Sequence, residues 1–86
     1  MPSVVSNMTR RSEIAIVVDI LEAAGDGGAS KTGIVYAANL NFNRASRYLD
    51  MLQEKRLIEK SSNVFQITDS GRVYLQKASD VLALTI

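Results

Sequence analysis

Asn41, Asn43, Arg44 and Arg47 crowd into one short stretch, AANLNFNRASRYLD, and their side chains share a chemistry. An asparagine amide or an arginine guanidinium presents paired hydrogen-bonding groups at the spacing of a base edge, and arginine also grips phosphate. Tyr48 adds a hydroxyl that either reaches sugar or phosphate, or stays at the surface while the ring packs inside. Lys31 and Thr32 precede this stretch, and Lys60, Ser61, Ser62 and Asn63 follow it. One charge with one small donor in the first set, and with several in the second, suits phosphate oxygens better than base edges. The combination describes a surface that holds a polyanion and reads it.

Bond-making chemistry is poorly provided for. The chain has no cysteine and no histidine, which removes thiolate chemistry, the commonest metal ligand and the commonest general base. Asp19 and Glu22 lie three apart, close enough to pair on a helix, but such carboxylates usually make only a wet face. Gly25-Asp26-Gly27-Gly28 precedes a helix as a phosphate loop would, yet it lacks the Gly-Lys-Ser/Thr ending and a preceding strand. No enzyme, cofactor or metal site is expected.

The elements that must position the readers follow from apolar spacing. Ile34, Val35 and Ala38 form one short stripe, and Ala45, Leu49 and Leu52 form a second at i, i+4, i+7. Ser30 caps the first of these helices. Asn39 takes the left-handed conformation that stops it, and Asn41 caps the next. A short helix, a tight turn and a longer helix make a helix-turn-helix. Positive charge concentrates here. Residues 31–63 hold six basic and three acidic side chains, and the rest of the chain four and six, within a net charge of +1 over 86 residues.

Upstream, residues 1–8 lack periodicity and are expected to be mobile. Thr9 or Ser12 caps a first helix with a core face of Ile14, Val17, Val18 and Leu21, closed by Gly25 at C′. Ile16 and Ile20 fall outside that stripe and are expected to be exposed, as a second contact surface. Downstream, residues 56–60 and 64–67 read as two short strands split by Ser61-Ser62-Asn63, a β-hairpin. Thr68-Asp69-Ser70-Gly71 opens a last helix running from about Asp69 towards Leu84. The fold class is therefore mainly α with a small hairpin (α+β): a winged helix-turn-helix over residues 9–71, followed by a C-terminal helix over 72–86. On that helix Tyr74, Leu75, Ala78, Val81, Leu82 and Ile86 cover roughly 140° of arc, with Val73 and Leu84 beyond it. This exceeds what one small domain covers. A two-fold dimer is expected, with Ile16, Ile20, Tyr74, Ala78, Val81, Leu82 and Ile86 at its interface.

Four stretches, Tyr36-Ala37-Ala38-Asn39-Leu40, Tyr48-Leu49-Asp50-Met51-Leu52, Leu57-Ile58-Glu59 and Phe65-Gln66-Ile67-Thr68-Asp69-Ser70-Gly71, resemble the small archaeal winged helix-turn-helix proteins related to the chromatin-associated DNA binders of Sulfolobus. The resemblance covers nearly the whole domain. It implies DNA binding through the third helix and the wing, and dimerisation through a C-terminal helix. Two departures stand out: Arg56 occupies a position where the family usually has glycine, and the final helix is shorter than the long antiparallel coiled coil of the best-known relatives.

The resulting expectation is a non-enzymatic binder of double-stranded DNA, either a regulator or an architectural protein. The third helix would lie in the major groove and the wing on the backbone. A winged-helix protein-interaction module is the alternative. No secretory signal or membrane-spanning run is present in the sequence, so a cytoplasmic, nucleoid-associated location is expected.

Overall fold

The computed structural model describes residues 12–84. The expectations for residues 1–8, for Thr9 as a cap and for Ile86 at an interface lie outside them. Helix α1 (Glu13–Ala23), α2 (Lys31–Ala38) and α3 (Phe42–Glu54) are followed by β1 (Ile58–Ser61), β2 (Val64–Ile67) and α4 (Asp69–Leu84). This is a winged helix with one added C-terminal helix.

The helix starts are set locally. The hydroxyls of Ser12 and Ser30 accept from the N–H groups of Ala15 and Gly33 at 3.1 Å each, and the Asn41 Oδ1 accepts from Arg44 N–H at 2.8 Å. Each satisfies one of the orphan donors of a first turn. Two of the helix ends are built alike. After α2, Leu40 N–H returns to Val35 O and Asn39 N–H to Tyr36 O; after α3, Leu57 N–H returns to Leu52 O and Arg56 N–H to Gln53 O. These are Schellman closures, which require a left-handed residue at C′. Asn39 (φ 55°) and Arg56 (φ 62°) supply it, so Arg56 holds the conformation that glycine adopts more cheaply. Leu40, Leu52 and Leu57, which flank these turns, are buried.

The wing is a two-stranded antiparallel hairpin pairing Ile58 with Ile67 and Ser61 with Val64. Ser62 opens its two-residue turn at φ 58°, the positive φ that such a tight loop demands. The loop after α1 adds a bridge on the other edge of β2: Ala29 and Phe65 exchange both backbone hydrogen bonds, at 2.9 and 2.8 Å. Gly28, at φ 89°, sits where a Cβ would meet a Val64 methyl at 2.3 Å, so this approach of loop to wing requires glycine. Gly71 has a similar role in α4, where a Cβ would lie 2.1 Å from Leu57 O.

The core lies between these elements: Ile16, Val17, Ile20 and Leu21 of α1, Ile34 and Ala38 of α2, Ala45, Leu49 and Leu52 of α3, and Ile58, Phe65 and Ile67 of the wing. The expectation for α1 is corrected here. Ile16 and Ile20, expected at the surface, are 2% and 0% exposed, whereas Ile14, expected in the core, is 38% exposed. The reason is that α1 is packed on more than one side, against both α2 and α4. Its buried arc is therefore wider than a one-sided stripe. Ile14 shares a face with Leu21 at i, i+7, but in the first turn it is covered only in part.

The last helix divides its apolar arc. Ala78 is buried, at 6% exposed, and Leu75 and Leu82 are half-buried, so this strip packs inward, with α4 laid along α1. Ala78 is thus not a surface residue as expected. Val73, Tyr74, Val81 and Leu84 remain exposed, by 56, 39, 46 and 86%, and occupy one flank spanning about 100° of the helix. Arg72 ties the start of α4 to the end of α1 through the Gly25 carbonyl at 3.4 Å.

Candidate nucleic-acid interface

Helix α3 is anchored by one face and open on the other. Ala45, Leu49 and Leu52 are buried, while Asn43, Arg44 and Arg47 are all exposed in the first two turns. The turn that delivers them is rigid, because Asn39 closes α2 and Asn41 caps α3 with a single residue between them. The outward face then changes sign along its length. Asn43, Arg47, Asp50 and Glu54 follow at i, i+4, i+7 and i+11 and all are exposed, so the leading half of the face is basic and the trailing half acidic. A polyanion is attracted to the first half and repelled by the second.

The other expected contact residues fall into three places. Arg44, Arg47 and Tyr48 line one shallow depression with Glu13 and Met51 on the side of α3 that faces α1. Tyr48 is half-buried against the core, so its ring is a structural element and its phenol belongs to the rim. Asn41 is exposed, but its side-chain oxygen is occupied by the cap, which leaves the NH₂ end for a ligand.

Lys31 and Thr32 begin α2. Thr32 is exposed. Lys31 is half-buried and turned onto α3: its ammonium donates to the Ser46 hydroxyl and lies 5.6 Å from the centroid of the Phe42 ring. It braces the start of α3 as well as carrying charge.

Lys60, Ser61, Ser62 and Asn63 are exposed at the wing, with the Lys60 ammonium 5.6 Å from the Phe65 ring centroid. The wing joins α3 at its C-terminal end, where Gln53, Arg56, Ile58 and Lys60 line a common depression. The wing residues and Asn43, Arg44 and Arg47 are thus held at opposite ends of α3.

Two exposed aromatics carry no role in the expected set: Tyr36 on α2, 81% exposed, and Phe42 at the head of α3, 52% exposed. Phe42 continues the spacing of the core stripe, at i, i+3, i+7 and i+10 with Ala45, Leu49 and Leu52, a spacing that by itself marks core. Only its place at the very start of the helix leaves it uncovered.

A groove of about 370 Å³ runs between α1, α3 and α4, with Ile14, Tyr48, Met51, Lys55 and Tyr74 on its walls. It joins the exposed Ile14 to the exposed flank of α4. Among the described residues there is no group of acidic, cysteine or histidine side chains arranged to hold a metal ion, and no helix is long and apolar enough to cross a membrane.

A sequence model of winged helix-turn-helix proteins matches residues 10–85. The uncharacterized protein MJ0290 of Methanocaldococcus jannaschii is 33% identical over 75 residues, covering 87% of this chain and 36% of that protein. A second protein of the same organism, the uncharacterized protein MJ0287, is 35% identical over 63 residues, covering 73% of this chain and 65% of the relative. The chain therefore spans about a third and just under two thirds of these relatives. Its fold is similar to that of Sso10a-2, a DNA-binding protein from Sulfolobus solfataricus, with a TM-score of 0.76 at 22% identity over 87% of this chain and 82% of the other.

Proposed function

The chain belongs to the winged helix-turn-helix family, and from that premise we propose that it binds double-stranded DNA, as a transcriptional regulator or an architectural protein. The observation that carries this reading is the leading half of α3: Asn43, Arg44 and Arg47 exposed together on a helix whose other face is locked into the core. On DNA, α3 enters the major groove with its N-terminal turns foremost, since Asp50 and Glu54 keep its trailing half away from phosphate. Asn43, Arg44 and Arg47 read base edges, helped by the free end of Asn41. Thr32, Lys31 and the wing residues Lys60, Ser61, Ser62 and Asn63 hold the backbone, with Tyr48 at the margin. The description of Sso10a-2 as a DNA-binding protein supports the same reading. The location proposed is the nucleoid.

We propose further that the protein is a two-fold dimer joined through α4. Val73, Tyr74, Val81 and Leu84, with Ile14 across the groove from Tyr74, make a larger apolar patch than scattered surface residues would. This set replaces the Ile16 and Ile20 contacts of the sequence-based expectation. A symmetric pair of reading helices favours an inverted repeat with half-sites about one helical turn apart, or a multiple of it.

A duplex titration at two salt concentrations tests the first proposal. Binding should weaken steeply with salt, with a slope of about 0.9 for each phosphate neutralised. Absence of binding at low salt would leave the protein-interaction reading, for which the small net charge of +1 is the supporting observation.

A further inference from the structure

We infer that Phe42 reads thymine, by packing its ring against the C5-methyl group in the major groove. The inference rests on the proposal that α3 is the reading helix. Phe42 is the first residue of α3, directly behind the cap Asn41 and directly ahead of Asn43 and Arg44. It is 52% exposed, so about half of its surface is left in water at the N-terminal end of α3 that leads into the groove, on the core side of the helix rather than beside Asn43 and Arg47. The other half is held. Lys31 sets its ammonium over the ring at 5.6 Å and is itself tied to the Ser46 hydroxyl one turn further along α3. A charge next to the phosphate-facing surface is thus engaged in fixing an aromatic ring. Within the major groove the one apolar group on a base edge is the thymine methyl, and phenylalanine is among the side chains that contact it. The polar neighbours Asn43, Arg44 and Arg47 cannot recognise a methyl, so Phe42 adds a kind of reading that they lack.

Replacing thymine by uracil removes that methyl and leaves every hydrogen-bonding group in place. The test takes the tightest-binding duplex recovered from a random-sequence pool and remakes it with uracil in place of thymine. The expected loss is at least about fourfold in affinity for each methyl buried. Phe42→Ala should bind the thymine and uracil duplexes equally, while Arg47→Gln should be weaker on both with the ratio preserved. A duplex with 5-iodouracil at the sensitive position, irradiated with the unaltered protein, should crosslink at Phe42 itself, which needs no variant to fold. Equal affinity of the unaltered protein for the two duplexes would overturn the inference while leaving DNA binding intact. So would a thymine preference that survives Phe42→Ala, or a crosslink placed elsewhere. Failure to bind any duplex at low salt would remove the reading of α3, and Phe42 with it.

Discussion

The Thr68 hydroxyl donates to the Arg56 carbonyl at 2.7 Å and accepts from Gly71 N–H at 2.9 Å. One side chain thereby links the turn that ends α3 to the first turn of α4. The carbonyl it binds belongs to a residue held at φ 62°, a conformation that costs a non-glycine residue about 1 kcal/mol. Arg56→Gly should therefore raise stability by roughly 0.5–1 kcal/mol, seen as a higher urea midpoint at unchanged slope. Thr68→Val, which loses both hydrogen bonds, should lower it by about 1–3 kcal/mol. A destabilised Arg56→Gly protein would mean that the arginine side chain contributes more than its backbone conformation costs.

Charge reversal at Arg44 and Arg47 together should abolish DNA binding with little change in thermal stability. Both side chains are exposed and lie off the Ala45, Leu49, Leu52 face, where substitutions usually shift stability by less than about 0.5 kcal/mol. Unchanged affinity and salt slope in the double Glu variant would show that α3 is not the reading helix.

Lys60→Ala should weaken binding about equally on all sequences and flatten the salt dependence by about one counterion. Lys60 is exposed on the wing, over the Phe65 ring, at the opposite end of α3 from Asn43, Arg44 and Arg47. Affinity measured on two unrelated duplexes checks it; a loss confined to one of them would show that the wing reads bases.

Helix α4 packs inward through Ala78, so cutting the chain there would disturb the fold as well as any dimer. Val81→Glu with Leu84→Glu is the cleaner experiment, since both residues are exposed. Sedimentation equilibrium should give a dimer for the unaltered chain and a monomer for the variant, because each wet apolar side chain forgoes about 1.5–3 kcal/mol of burial. A monomer mass at every concentration of the unaltered chain would end the dimer proposal, and the expectation of an inverted-repeat site with it.

What could be read from sequence was what neighbours along the chain decide. Ser12, Ser30 and Asn41 as caps, Asn39 as a left-handed stop and the hairpin of the wing each depend on a handful of adjacent residues. The core stripe of α3 was legible for the same reason. The exposure of Ile14 and the burial of Ile16 and Ile20 were not, because they depend on α4, which arrives from the far end of the chain and covers a second side of α1. Phe42 fits the apolar spacing of α3 and is exposed only because no other element covers the first turn. Lys31 resembles a free anchor until the turn brings Ser46 and Phe42 beneath it.

The exchange of hydrogen bonds between Ala29 and Phe65, with Ile67 N–H reaching Ala24 O at 3.1 Å, fastens together the two ends of everything from α2 to the wing. The helix-turn-helix is a closed ring of chain rather than an open arm. Closing such a ring forfeits chain entropy that grows only slowly with its length, and the closure couples the wing to the segment it encloses. Fraying of the wing and loosening of α3 should therefore be one cooperative event. The amides of Ala29 and Phe65 should exchange with deuterium at the same rate as those of Leu49 and Leu52, and faster exchange at the wing pair would show that the ring opens there first.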